Sequence, residues 1–138
     1  MPLRILTLGD IVGRPGRSVV CDHLPALVTG RKIDLVIANG ENIAGGSGIT
    51  PNLFNKLRSY GVDVVTLGDH VFKRLEIVQT MTGSERILRP ANLAQMAAGR
   101  THTIVQTNSG HTVAILTVLG RIYMNMPADD PFAAVEPI

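Results

Sequence analysis

Three short apolar runs in this chain each end in residues that can bind a cation or move a proton. Leu3 to Leu8 runs into Gly9-Asp10. Asp34 to Ala38 runs into a loop that carries Glu41 and Asn42. Val62 to Leu67 runs into Gly68-Asp69-His70. Asp10, Glu41 and Asp69 offer carboxylate oxygens, Asn42 an amide and His70 an imidazole. Three carboxylates in one low-dielectric cleft would repel one another. Divalent cations remove that conflict, since a cluster near about −3 suits two ions totalling about +4. Oxygen-rich donors with some imidazole favour Mn, Fe or Mg over a thiolate-type zinc site. Each residue alone also has a plain structural reading. Asp10 can cap the following helix, residues 39–48 can form an ordinary surface loop, and His70 can be a packed or solvated histidine. It is their convergence at three strand ends that points to a metal or phosphate site.

The elements that must position these groups follow from pattern. The three apolar runs read as buried strands. Gly13-Arg14-Pro15-Gly16 reads as a turn. Val20, Leu24, Leu27 and Val28 give helical spacing over 17–29, with Gly30 as the stop and Pro25 as a kink or early end. Thr50 reads as an N-cap, Pro51 as the first helical position and Gly61 as the stop, with Leu53, Phe54, Leu57 and Tyr60 as the apolar stripe. A short helix is expected over 73–81, with Leu75, Val78 and Ile77 inward. Thr103 to Thr107 and Thr112 to Val118 flank Asn108-Ser109-Gly110, a hairpin signal. Asp129-Asp130-Pro131 reads as a helix start. Strand–helix alternation predicts a parallel α/β sheet, and right-handed crossovers put the loops after all three strands along one edge. Ligands of such sheets bind outside the carboxyl ends of the strands.

Composition excludes several classes. The 138 residues fit one domain, and 45% hydrophobic content excludes disorder of the whole. Lys and Arg number 13 against 11 Asp and Glu; a net charge of +2 is too weak to argue for nucleic-acid binding. The single cysteine, Cys21, excludes an internal disulfide framework and a cysteine zinc site. Its place near the apolar helix face predicts a core position. The first apolar run is too short for a signal peptide or membrane span, so the expectation is a soluble cytoplasmic protein with no membrane partner. Gly9, Gly13 and Gly16 do not make G-x-G-x-x-G, and no Gly-Lys-Ser/Thr follows, so the Rossmann and P-loop signatures fail. Gly45-Gly46-Ser47-Gly48 can still present N–H groups to a phosphate. A receiver-like phosphoacceptor domain fits poorly, because the acids are spread over three strand ends and the later hairpin is out of order.

Six motifs occur in order: Gly9-Asp10-Ile11-Val12-Gly13-Arg14-Pro15-Gly16-Arg17, Asn39-Gly40-Glu41-Asn42-Ile43-Ala44-Gly45-Gly46, Leu67-Gly68-Asp69-His70-Val71-Phe72, Arg89-Pro90-Ala91-Asn92, Leu119-Gly120-Arg121 and Asp130-Pro131-Phe132. Together they resemble the bacterial YmdB-like metallophosphoesterases of the calcineurin-like superfamily, over essentially the whole chain. The resemblance implies the first half of a calcineurin-like α/β sandwich, a parallel βαβαβ unit followed by a β-hairpin. It implies two divalent metal ions, Mn or Fe first and Mg or Zn as alternatives. It also implies phosphodiester hydrolysis, with 2′,3′-cyclic nucleotides as the substrate class. By position, Asp10 would hold the first metal, Glu41 would bridge or bind both, Asp69 would hold the second, Asn42 would touch the substrate phosphate and His70 would be the catalytic acid. Arg89 and Asn92 are minor phosphate-contact candidates, though Arg-Pro-Ala-Asn also makes a good structural turn. Arg121 is undecided.

Two departures stand out. The family has Asn where this chain has Asp69, which adds a negative charge and makes the metal pair a weaker Lewis acid. Family members are also about twice as long, and their three further metal-ligating histidines have no counterpart here. His23 falls in the first helix, and His102 and His111 flank the hairpin and are expected to be exposed. The expectation is therefore a single domain, 1–138, incomplete at its C-terminus, with a partly exposed apolar face and a tendency to self-associate. Two functions follow. One is a metal-dependent phosphodiesterase. The other is a non-catalytic metal- or nucleotide-binding module that acts only in an assembly.

Overall fold

The computed structural model describes residues 2–138. Four strands, β1 (Ile5–Asp10), β2 (Leu35–Asn39), β3 (Val64–Thr66) and β4 (Ile87–Leu88), pair in the order β1-β2-β3-β4, all parallel. Helices α1 (Gly13–Arg31), α2 (Pro51–Tyr60) and α3 (Ile77–Gly83) fill the crossovers. The chain then forms an antiparallel hairpin of β5 (His102–Gln106) and β6 (Thr112–Leu116), followed by α4 (Pro131–Val135).

A sheet whose strands are added in one direction by right-handed crossovers carries its helices on one face. Strand alternation sorts the side chains accordingly. Leu6, Leu8, Val36, Ala38, Val65 and Ile87 meet Val20 and Leu24 of α1, Phe54 and Leu57 of α2, and Ile77 and Met81 of α3. On the opposite face Leu35, Val64 and Leu88 pack against Val105 and Ile115 of the hairpin. The inner strands are thus buried on both sides, which is why they read as continuous apolar runs. Edge strand β1 is less covered: Ile5 stays 41% exposed. Among the described residues, no helix is long and apolar enough to cross a membrane.

Helix α2 forms as its sequence dictates. Leu53 N donates to Thr50 Oγ1 at 3.2 Å, and Gly61 takes the left-handed cap at φ 106°. Asp130 likewise caps α4, accepting from Phe132 N at 2.9 Å.

Elsewhere the fold departs from the pattern. Gly13 to Gly16 form the first turn of α1 rather than a turn before it, and Val12, not Asp10, is the N-cap. Pro15 is tolerated because first-turn N–H groups have no helical partner anyway. Pro25 does not end the helix, because burial of Val20 and Leu24 holds it across the lost bond. The stop falls at Lys32 (φ 52°), not Gly30, where Ile33 turns back onto the core and donates to Val28 O at 3.0 Å. Cys21 is exposed, not core, since the neighbouring Val20 and Leu24 occupy the inward positions. α3 starts late, because residues 70–76 are spent on turns around the sheet edge; Leu75 is left 74% exposed while Ile77 is fully buried. His102 is exposed as expected, but His111 is half-buried at the hairpin turn.

Asp34 ties the entry of β2 to β1. Arg4 N donates to Asp34 Oδ2 at 2.8 Å, and Asp34 N returns a bond to Arg4 O at 2.8 Å. The Arg4 N–H, then Ser109, His111 and the Arg4 charge, hold the Asp34 carboxyl below its usual range. A depressed carboxylate stabilises the fold above the unfolded value and loses that contribution as pH falls through the folded one. Asp34→Asn should therefore lower the unfolding midpoint at pH 7, and the difference from the parent chain should shrink as pH falls through and below the usual carboxylate range. A pH series of thermal melts checks this.

Candidate metal centre

The parallel sheet delivers its chemistry at the carboxyl edge. Asp10 is the last residue of β1, where a register shift after Leu8 turns the strand end. β2 ends at Asn39, whose Oδ1 accepts from Glu41 N at 3.1 Å, a local turn that swings Glu41 over the edge. Gly40 continues the ladder to Thr66 O at 3.0 Å and leaves no room for a larger residue, since a Cβ would press on Val65, Ile49 and Leu57. After β3, Gly68 is required for a different reason. A Cβ there would collide with the Glu41 carboxylate. The missing side chain is the space that Glu41 occupies.

Within that space the groups converge. Glu41 Oε2 accepts from His70 N at 3.0 Å, and Glu41 Oε1 accepts from Asn39 Nδ2 at 3.3 Å. Ligand atoms of Glu41, Asp69 and His70 lie within 4.8 Å of one another, and all three residues are half-buried. Asn42 links the cluster to Asp10. Its Nδ2 donates to Asp10 Oδ2 at 2.8 Å, and its Oδ1 meets His70 Nδ1. A carboxylate only accepts, so the amide must turn its NH₂ to Asp10 and its oxygen to His70, and His70 Nδ1 must carry the hydrogen. His70 Nε2 takes no part in that bond and lies 3.8 Å from Asp69 Oδ2.

Two carboxylates and an imidazole this close fit a hard divalent cation, and uncompensated they would repel. Asp10 stands one amide away from these three, joined through Asn42 rather than inside the same group.

Arg89 and Asn92 serve elsewhere. Arg89 is 3% exposed, with its guanidinium donating to Pro90 O at 2.9 Å and Gly99 O at 3.3 Å; burial lowers its pKa below the usual arginine range. Asn92 is 1% exposed and uses both ends of its amide. It donates to Leu119 O at 2.8 Å and Asp129 O at 2.9 Å, and accepts from Leu119 N at 2.8 Å. These bonds fasten the 119–129 segment. Asn92→Ala leaves buried backbone groups of Leu119 unpaired, and should cost about 3 kcal/mol of unfolding free energy in a denaturant titration.

That segment builds a wall opposite the site. A cleft of about 390 Å³ lies between Asp69, His70, Phe72 and Lys73 on one side and Asn125, Met126 and Pro127 on the other. Phe72 ended one of the six motifs, but nothing in the sequence pattern marks Asn125 to Pro127 as its neighbours.

A family model described as "YmdB-like protein" matches residues 6–138. The chain belongs to this family. The 2′,3′-cyclic-nucleotide 2′-phosphodiesterase of Bacillus subtilis (strain 168) is 37% identical over 134 residues, covering 97% of this chain and 50% of that protein. The crystal structure of a hypothetical protein from Thermus thermophilus aligns at TM-score 0.89 and 37% identity, over 98% of this chain and 52% of that one. A novel phosphatase from Mycoplasma pneumoniae aligns at TM-score 0.87 and 26% identity, over 98% and 50%. The chain thus spans about half the length of these relatives. YmdB-like proteins fall in the metallophosphoesterase group, and this chain's parallel sheet with a hairpin on its second face aligns with both solved structures over nearly its whole length.

Proposed function

We propose that this chain is a metal-dependent phosphodiesterase acting on small phosphodiesters, with 2′,3′-cyclic nucleotides as the substrate class. The observation that carries this is the meeting of Glu41, Asp69 and His70 at two strand ends, joined to Asp10 on the third by Asn42. The name of the Bacillus subtilis relative supports the substrate class. A pair of divalent cations, Mn or Fe first, would supply an activated water and neutralise the phosphoryl oxygens.

The chain's own residues do the rest. Glu41, Asp69 and Asp10 supply carboxylate oxygens for the cations. Asn42 keeps one amide hydrogen beyond the bond to Asp10, and offers it to a phosphoryl oxygen. It also holds the ring of His70 through Nδ1, aiming Nε2 at the departing ester oxygen. Protonated, that nitrogen gives its proton to the ribose oxygen, a role worth about 10²–10⁴ in rate.

The second reading, a module that holds metal or nucleotide without turnover, draws on the half-length match to the relatives. One experiment separates the two. Metal content of the purified chain is measured by elemental analysis, beside turnover of bis-p-nitrophenyl phosphate and 2′,3′-cyclic AMP with added Mn²⁺. Bound metal with turnover that Glu41→Gln removes is the expected result. Bound metal without turnover leaves the binding module, and no bound metal with no turnover overturns the phosphodiesterase. Sedimentation of the same sample tests self-association through the exposed edge at Ile5.

A further inference from the structure

Glu41, Asp69 and His70 converge at the candidate metal centre, and His70 and Asp69 also border the cleft of about 390 Å³, which the chemistry at phosphorus does not need. Its walls differ in character. Phe72 and Met126 are half-buried, packed on the core and open to the cleft, and Pro127 extends the apolar surface. Lys73 and Asn125 are exposed at the same cleft. An aromatic ring and a thioether lining one cleft, with an exposed amide and ammonium beside them, suit a planar heterocycle with polar edges.

From this we infer that the cleft beside His70 is a nucleobase subsite, with Phe72 as the stacking residue and Asn125 as the group that reads the base edge. The inference rests on the phosphodiesterase reading for its orientation: a phosphorus held at His70 sends its nucleoside into the adjoining space. A cyclic phosphodiester has both ester oxygens on one ribose, so its nucleoside lies next to the catalytic imidazole, where this cleft opens. Stacking is indifferent to which base is present, whereas the Asn125 amide can both donate and accept, so base preference should be shallow. Lys73 lacks an acceptor and favours base carbonyls or a phosphoryl oxygen. The second wall exists because Asn92 fastens the segment that carries it, which gives that buried amide a positioning role.

The test is binding, so that it does not depend on turnover. Affinities of the chain for 3′-AMP and for inorganic phosphate are measured in parallel by ligand-observed NMR, with Mn²⁺ replaced by diamagnetic Mg²⁺. Phe72→Ala should weaken 3′-AMP about tenfold, in keeping with the loss of one base–aromatic stack, and leave phosphate within about twofold. Phe72→Trp should retain 3′-AMP affinity. Because Phe72 also packs on the core, Asn125→Ala is the second variant; it lies at the surface and should weaken 3′-AMP about threefold without moving the melting temperature. Equal loss of both ligands in Phe72→Ala, or 3′-AMP binding no tighter than phosphate in the parent chain, overturns the subsite. Failure of the hydrolytic reading looks different: 3′-AMP binding still depends on Phe72, but no phosphodiester turns over.

Discussion

Glu41→Gln is expected to lower the affinity of the chain for Mn²⁺ by at least about a hundredfold, above the 10–100-fold typical of partners that only support a ligand. The substitution keeps volume and removes one formal charge from a cluster that carries two carboxylates, with Asp10 one amide away. It also breaks a hydrogen-bond pattern that only a carboxylate can complete. Glu41 accepts twice, from His70 N at 3.0 Å and from Asn39 Nδ2 at 3.3 Å. Glutamine has one oxygen and one NH₂, so one of those donors must face another donor. The amide then rotates away from one contact, and the remaining oxygen is a weaker ligand. The apo fold should survive, because the carboxylate is half-buried and its loss relieves repulsion with Asp69. Titration calorimetry with Mn²⁺, beside a thermal melt without metal, checks both halves. Unchanged Mn²⁺ affinity would mean that the cation is not held at this edge.

Much of this site is legible in the sequence, for a physical reason. Strands buried on both faces must be apolar throughout, so β2 and β3 announce themselves, edge strand β1 shows a half-buried apolar run, and whatever polar residue follows each one lies at the carboxyl edge. Asp10, Glu41, Asp69 and His70 can be placed together on that basis alone. Helix α2 is equally readable, since Thr50, Pro51 and Gly61 act locally. What escapes depends on distant contacts. Two-residue β4 is too short to show a period, yet it pairs with β3 and supplies Leu88 to the second core. The Asn42 bridge from Asp10 to His70 spans 32 residues on one side and 28 on the other. The second wall of the cleft is held through Asn92 by bonds that reach 27 and 37 residues along the chain. The sequence around Asn92 resembles a turn, and a turn's position relative to another loop is not written in its own residues. The difference at Cys21 has another origin: neighbouring helix positions lie about 100° apart, so an apolar neighbour at 20 says little about 21.

The sharpest test of His70 is a comparison of leaving groups. His70→Gln is expected to slow hydrolysis of 2′,3′-cyclic nucleotides by about 10²–10⁴, the usual worth of a positioned general acid. The same variant should lose far less on bis-p-nitrophenyl phosphate, because nitrophenolate departs as an anion and needs no proton. A ribose hydroxyl does need one, and His70 Nε2 is the ring nitrogen that the bond from Nδ1 to Asn42 leaves free. Glutamine preserves polarity at the site and the backbone bond from residue 70 to Glu41, so Mn²⁺ affinity should change by less than about tenfold. The competing role is metal ligation, since a ring nitrogen of His70 lies within 4.8 Å of ligand oxygens on both Glu41 and Asp69. In that case both substrates would slow together and Mn²⁺ affinity would fall as steeply as in Glu41→Gln. Asn42→Ala extends the comparison. It frees the ring without removing it, and should reproduce part of the leaving-group-dependent loss while also loosening Asp10, whose Oδ2 accepts the Asn42 amide at 2.8 Å. A proton donor needs its aim held, whereas a ligand is aimed by the metal it binds. A larger loss from Asn42→Ala on the ribose substrate than on the nitrophenyl ester would therefore assign the imidazole to proton transfer.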